Sequence, residues 1–285
     1  MTSGSGWPVL GRQAGTRQSA LWRAIAVLAW AVCTVRAADY YVATNGCDSP
    51  TNGASPAYPW RTINYAVNRT NAVAGDRILI RGGVYREQIT LNRALDSTNY
   101  LYIAAYSNEI PVIKGSEVLT NWVSFSNHIW KLSWPTNTQQ VFVDGVPLQQ
   151  IGWPSATASN TYYSDGYYMI VPVGLGLQDM FPGSFYYDSV YKTGTTLYVW
   201  LLNNAAPTGR CLEVSVRSYL FLNNTGGRTR IWLKGLHFRH SNTFTFMSQG
   251  WPALIPGANS VVEACDLQWL DMSGVGTHWG TKVIR

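Results

Sequence analysis

Thr62-Ile63-Asn64-Tyr65-Ala66-Val67-Asn68-Arg69 is the one convincing helical stretch downstream of the N-terminal leader. Ile63, Ala66 and Val67 fall at i, i+3 and i+4, a single apolar face. Gly75-Asp76 ends it, and everything around it reads as short strand. Asp39 to Ala43 opens the series, and a loop rich in Gly, Asn, Ser and Pro follows from Asn45 to Pro59. After the helix, Arg77 to Arg81 carries Ile78 and Ile80 on one side. Gly82-Gly83 turns the chain into Val84-Tyr85-Arg86-Glu87, and Ile89/Leu91, Leu101/Ile103 and Val112/Ile113 continue the pattern to Gly115. Short strands recurring about every ten residues, with turn signals between them, mean a sandwich, a barrel or a solenoid. The helix decides for the solenoid. A parallel β-helix leaves an apolar cross-section open at its first coil, and an amphipathic segment laid across that end covers it.

The N-terminus is set apart from this pattern. Arg12, Arg17 and Arg23 precede an uncharged apolar run, Ala24 to Thr34, and Val35-Arg36-Ala37 offers small residues for cleavage. The run is too short to span a bilayer. We expect residues 1–37 to be a secretory signal peptide, the mature chain to begin at Ala38, and the protein to be extracellular or periplasmic with no membrane span after cleavage. The leader also holds four of the 21 Lys and Arg residues and no carboxylate, which leaves 17 cations against 15 carboxylates and takes the net charge from +6 to +2. No basic cluster remains to recruit nucleic acid. With 13 Trp, 17 Tyr and only 13% charged residues, the mature chain suits strands with aromatic, partly exposed faces, although such residues also pack β cores. Cys47, Cys211 and Cys265 survive cleavage, enough for one disulfide at most, and their spacing fits no zinc site. Asn68 and Asn223 begin formal glycosylation sequons.

Five segments in order carry a resemblance: Tyr-Tyr-Val-Ala at 40–43, Pro-Trp-Arg-Thr-Ile at 59–63, Ala-Gly-Asp-Arg-Ile at 74–78, Gly-Gly-Val-Tyr-Arg-Glu at 82–87 and Pro-Val-Ile-Lys-Gly-Ser-Glu at 111–117. Together they resemble the opening of secreted bacterial proteins with the pectin-lyase-like right-handed parallel β-helix fold. The resemblance implies an all-β solenoid with a short N-terminal capping helix. It leaves the reaction open, because one fold hosts many activities.

An internal repeat supports the same fold. Ile231, Leu233, Leu236 and Phe238 match Val262, Ala264, Leu267 and Trp269 in turn when Ile231 is laid over Val262. Between early and later coils, the middle of the chain is rich in Trp, Tyr, Gly and Asn, with strand-like runs at Gln140–Val143, Tyr167–Val171, Leu197–Leu202 and Leu212–Val216 and a hairpin around Asp144-Gly145. The expected organisation is therefore a signal peptide at 1–37, a cap and first coils at 38–117, a β-rich insertion or subdomain at 118–230, and later coils at 231–285. The chain stops directly after the last readable coil, so we expect it to be an N-terminal portion whose further coils lie beyond Arg285.

Side chains on successive coils of such a fold stack about 4.8 Å apart, so residues distant in sequence can share a site. The densest polar set is His237, Arg239, His240, Glu263, Asp266, Asp271, His278 and Lys282. Of these, His240, Asp271, Asp266, Glu263 and Arg239 are the candidate catalytic residues. With Ile231 over Val262, the repeat would bring Asp271 beside His240, and a carboxylate beside an imidazole suits acid–base work. The same residue types also satisfy turn backbone at strand ends. Asp76, Arg81, Arg86 and Glu87 read as framework, with Arg81 and Arg86 available to pair with Glu87. The resemblance implies either a lyase of uronate polymers, with Ca²⁺ held by Asp and Glu, or a hydrolase with two carboxylates flanking the glycosidic bond. No cofactor is otherwise called for. Low charge and high aromatic content tilt the expectation toward a glycosidase on a neutral polysaccharide or oligosaccharide. The rival is a non-catalytic, adhesin-like solenoid that binds glycans.

Overall fold

The computed structural model describes residues 37–152, 173–188, 195–242, 252–271, 273–276 and 283–284, together with positions 1, 2 and 4. Nearly all of the apolar leader lies outside them, as do the expected strand at Tyr167–Val171 and two of the polar candidates, His278 and Lys282. From Ala37 onward the chain forms one compact unit. It is nearly all β, with a single short α-helix and two 3₁₀ turns among the described residues.

Among the described residues, three of the five sheets are wholly parallel. The first contains, in spatial order, Asp39–Val42, Arg77–Ile80, Tyr100–Ala105, Arg230–Lys234, Val261–Glu263 and Val283–Ile284. The second contains Gly83–Tyr85, Pro111–Lys114, His237–Arg239 and Asp266–Gln268, and the third Ile89–Leu91, Phe221–Asn223 and Leu254–Ile255. The chain visits first, second and third sheet in the same cyclic order on successive passages. Alternation within each strand explains why: in Arg77–Ile80 the two isoleucines are buried and Arg77 is exposed. Register then stacks like on like. Tyr40, Ile78, Ile103, Leu233 and Val262 form one apolar column through the first sheet, and Tyr85, Ile113, Phe238 and Leu267 form another through the second. Each fully buried aliphatic or aromatic side chain contributes about 1.5–3 kcal/mol. This repeated stacking holds the sheets together.

The helix is Ile63–Val67, shorter at both ends than the periodicity suggests. Thr62 caps it by accepting from the Tyr65 amide. The Glu87 carboxylate reaches over from the turn after the second sheet's first strand and accepts from the Ile63 and Asn64 amides at 2.9 and 2.8 Å. Ile63, Ala66 and Val67 join the same apolar cluster as Tyr40, Val42 and Ile78. Glu87 is thus the helix's partner, and the expected Arg81 and Arg86 pairings with it are not made: Arg81 binds Glu109 at 2.7 Å and Arg86 binds Glu213 at 2.6 Å.

The other two sheets interrupt the second passage. An antiparallel sheet joins Ser116–Leu119, Leu212–Ser215, Val141–Val143 and Val146–Pro147, the last two as the hairpin around Asp144-Gly145. A mixed sheet joins Gln149–Ile151, Ser184–Asp188, Thr196–Trp200, Ile129–Ser133 and Val123–Ser126. Together they enclose separate apolar clusters around Phe185, Leu197, Val199 and Val214, and around Ile129, Ile151 and Met180. Parallel pairing resumes at Phe221, which lies beside Ile89, inside the 118–230 segment.

The later strands repeat in a register two positions shorter than the one the sequence suggests. Leu233, rather than Ile231, pairs with Val262, and His237 pairs with Asp266 and Phe238 with Leu267. Ala264 and Trp269 do not face inward; both are turn residues with φ of 50° and 54°. A strand alternates with period two, so registers that differ by two present the same pattern of inward and outward residues. The backbone breaks the tie. Gly235 and His240 hold left-handed φ of 69° and 61°, and the observed register matches them to Ala264 and Trp269.

Candidate functional site

The corrected register changes which polar residues meet. On the outward face of the second parallel sheet, His237 and Asp266 are direct ladder partners, as are Arg239 and Lys114. Arg239 Nη2 donates to Asp266 Oδ2 at 2.5 Å and Nη1 donates to the Asp266 and Phe238 carbonyls, both at 2.9 Å. His237 Nδ1 lies 3.4 Å from Asp266 Oδ2 and 3.3 Å from Arg239 Nη2, so it can donate to the first or accept from the second. Gln268 Nε2 donates to both Asp266 oxygens, at 3.1 and 3.2 Å. Partial burial pushes the Asp266 carboxyl up, but Arg239, His237 and Gln268 outweigh it and hold the group below its ordinary value. The arrangement is an ionised carboxylate, fixed by an arginine, beside a partly exposed imidazole. An imidazole there can take or give a proton while the carboxylate orients it.

A second cluster, which shares Lys114 with this face, lies where the antiparallel sheet meets the parallel strands. Glu213 is 3% exposed and accepts from Lys114 Nζ at 2.9 and 2.8 Å and from Arg86 Nη2 at 2.6 Å. Burial raises the Glu213 carboxyl, and the hydrogen bonds and charges of Lys114 and Arg86 overcome that and lower it. Ser116 Oγ lies 3.4 Å from Glu213 Oε1 and 2.9 Å from His240 Nδ1. The His240 ring is buried and stacks on Phe142 with centroids 3.7 Å apart. Burial is the main reason its pKa falls to about 4; Glu213 opposes the fall, while Lys114, Arg86 and Arg239 add to it. His240 is therefore a neutral residue at the seam between the two sheet systems.

The five sequence candidates separate accordingly. Arg239 and Asp266 come together on the second sheet's outer face. Glu263 stands on the first sheet, where Lys234 Nζ donates to it at 2.8 Å and Trp232 Nε1 at 3.0 Å. His240 points into the seam, and Asp271 lies beside Ser241, whose Oγ accepts its amide at 3.0 Å. His237 belonged to the polar set and gains its partner only in the observed register. Glu213 carried no sequence signal, and the segment at 111–117 marked Lys114 and Ser116 for the fold alone, because strands far apart along the chain bring the three together.

Among the described residues, no group of three or more His, Cys, Asp or Glu is placed to hold a metal, and no helix is long and apolar enough to cross a membrane. The carboxylates on these faces do not fit calcium, since Asp266, Glu263 and Glu213 are each engaged by a cation. The three described cysteines are free thiols. Asn223 is buried, with its amide donating to the Thr229 and Pro256 carbonyls, so this sequon is part of the folded interior.

No protein-family model matches the chain, and no curated protein matches it in sequence. Solved structures do resemble it. One, described as "The complex structure of XylC with xylose", aligns with a TM-score of 0.62 at 20% identity over 83% of this chain and 41% of that one. Another, described as "Glycoside hydrolase", aligns with a TM-score of 0.59 at 11% identity over 84% of this chain and 63% of that one. The chain thus spans less than two thirds of either neighbour. At these identities the likeness concerns the fold alone.

Proposed function

We propose that the chain is an exported, polysaccharide-degrading protein, or the N-terminal portion of one, built on a right-handed parallel β-helix of the pectin-lyase-like kind. Three wholly parallel sheets visited in cyclic order support the β-helix, with the antiparallel and mixed sheets as an insertion. One structural neighbour is described in complex with xylose and the other as a glycoside hydrolase, which supports the carbohydrate role. The observation that carries the site is the register pairing of His237 with Asp266 on an outward face, with Arg239 anchoring the carboxylate. We favour hydrolysis of a neutral glycan over uronate elimination. The elimination that the resemblance implies uses Lys or Arg as base, and Arg86, Lys114 and Arg239 are all bound to carboxylates.

Incubating the purified full chain with neutral and uronate polysaccharides tests this reading. New reducing ends without ultraviolet-absorbing product support the hydrolase, and an unsaturated product assigns a lyase instead. A second reading, a non-catalytic glycan-binding solenoid, is favoured by the cation engaging each of Asp266, Glu263 and Glu213, which leaves none of them as an evident proton donor. Saturable binding without either product would select it. Absence of both binding and turnover on the whole panel refutes the carbohydrate role. Export through residues 1–37 rests on the arginines and apolar run of the leader, and N-terminal sequencing of the secreted protein should begin at Ala38 or within a residue or two of it.

A further inference from the structure

Trp269 follows Gln268 at the corner that closes the second parallel sheet's last described strand, just beyond Asp266. It is 50% exposed, whereas Trp60, Trp122, Trp130, Trp134, Trp200 and Trp232 are buried or half-buried. Its backbone is left-handed, with φ of 54°, a conformation unfavourable for a bulky side chain and found chiefly where the surroundings or a function demand it. The equivalent corner on the preceding coil is His240, also left-handed but buried against the face of Phe142. Trp269 meets the same Phe142 in a T-shaped contact, centroids 6.1 Å apart and planes at 69°. One buried ring thus orients it while half of it stays in solvent.

The other conspicuous aromatic group behaves differently. Trp232 lies against Tyr102 at 5.3 Å with planes at 28°, takes Tyr100 at its edge, and donates its N–H to Glu263. Those rings are occupied with one another. Trp269 is an indole held in position with surface to offer, and along the chain it directly follows Gln268, whose amide binds Asp266, the ladder partner of His237. The cations nearest that row, Arg239 and Lys114, are committed to carboxylates, so no ready counter-charge awaits an anionic sugar.

We propose that Trp269 is a stacking platform for a neutral pyranose, whose apolar C–H face lies on the indole at the corner that ends the Asp266–Gln268 strand. This rests on the glycan-directed reading of the chain and names its sugar class. Binding of xylohexaose, cellohexaose and hexagalacturonate to the full chain, measured by calorimetry, tests it. W269A should weaken binding of a neutral hexasaccharide about tenfold, whereas W269Y, which keeps a ring, should retain most of it. Bound neutral sugar should also shield an exposed tryptophan of the wild type from acrylamide quenching, a readout that needs no variant. Equal binding by the wild type and a folded W269A, or no shielding, overturns the platform while leaving the glycan reading intact. Binding confined to hexagalacturonate overturns the neutral class. If the wild type binds none of the three and degrades no polysaccharide, the glycan reading fails and the platform with it.

Discussion

His240 should make the folded protein acid-sensitive in a defined window. The ring is 3% exposed and titrates at about 4 in the fold, against 6.5 when free. Between those values the unfolded chain takes up a proton that the folded one refuses. Stability is therefore fully present above pH 6.5, falls as the pH drops toward 4, and levels off below that. The shift amounts to about 3 kcal/mol lost between pH 7 and 4. The comparison variant is His240→Asn, because asparagine tolerates the left-handed backbone at this position and can meet Ser116 Oγ as the imidazole nitrogen does. Glu87, whose carboxyl is pushed up by burial, gives a slope of the opposite sign in the lower part of the window in both proteins. Glu213 and Asp266, held below their ordinary values, lose their contributions mainly at still lower pH. Urea unfolding at half-unit steps from pH 7 to 4 should show wild-type stability falling about 3 kcal/mol further than that of His240→Asn. Parallel curves would refute the argument, since they would mean that the seam already accommodates an imidazolium.

Other perturbations should act where the contacts are. Removing the buried carboxylate with Glu213→Ala strands Lys114 and Arg86 at the seam and should lower stability at pH 7 by about 3–5 kcal/mol; an unmoved urea midpoint would remove the seam's electrostatic role. If the second-sheet face is catalytic, Asp266→Asn and His237→Ala should each cut glycan turnover about 100-fold with little change in the urea midpoint. Asp271→Asn should leave turnover unchanged, and the reverse ranking would return the site to the residues around His240.

Much of the fold was legible because burial imposes local periods. Ile78 and Ile80 alternate, Ile63, Ala66 and Val67 recur at helical spacing, and each pattern sits where the structure puts the element. The seam was not legible. Glu213 lies in a strand, Leu-Glu-Val-Ser, that reads like any half-buried strand, yet all four of its residues are buried. What makes a carboxylate tolerable there is a pair of cations, Lys114 and Arg86, from the early parallel strands and the turn beside them, met where the antiparallel sheet packs on them. No spacing rule encodes such a meeting.

The candidate site was half-legible for a more specific reason. Matching inward-facing residues fixes the register of stacked parallel strands only to within two positions, because a slip of two returns every side chain to its own face. Hydrophobic pattern therefore accepts Val262 beside Leu233 or beside Ile231 equally, but chemistry does not. The first register pairs His237 with Asp266, and the second would pair His240 with Asp271. The tie is broken at the corners, where Gly235 and Ala264 share one left-handed position and His240 and Trp269 the other. Gly235 alone of these four is a residue that advertises such a backbone; Ala, His and Trp adopt it at a conformational cost that the sequence does not display. In such stacked strands the outward residues inherit their neighbours from turns, so the least predictable backbone decides which side chains meet.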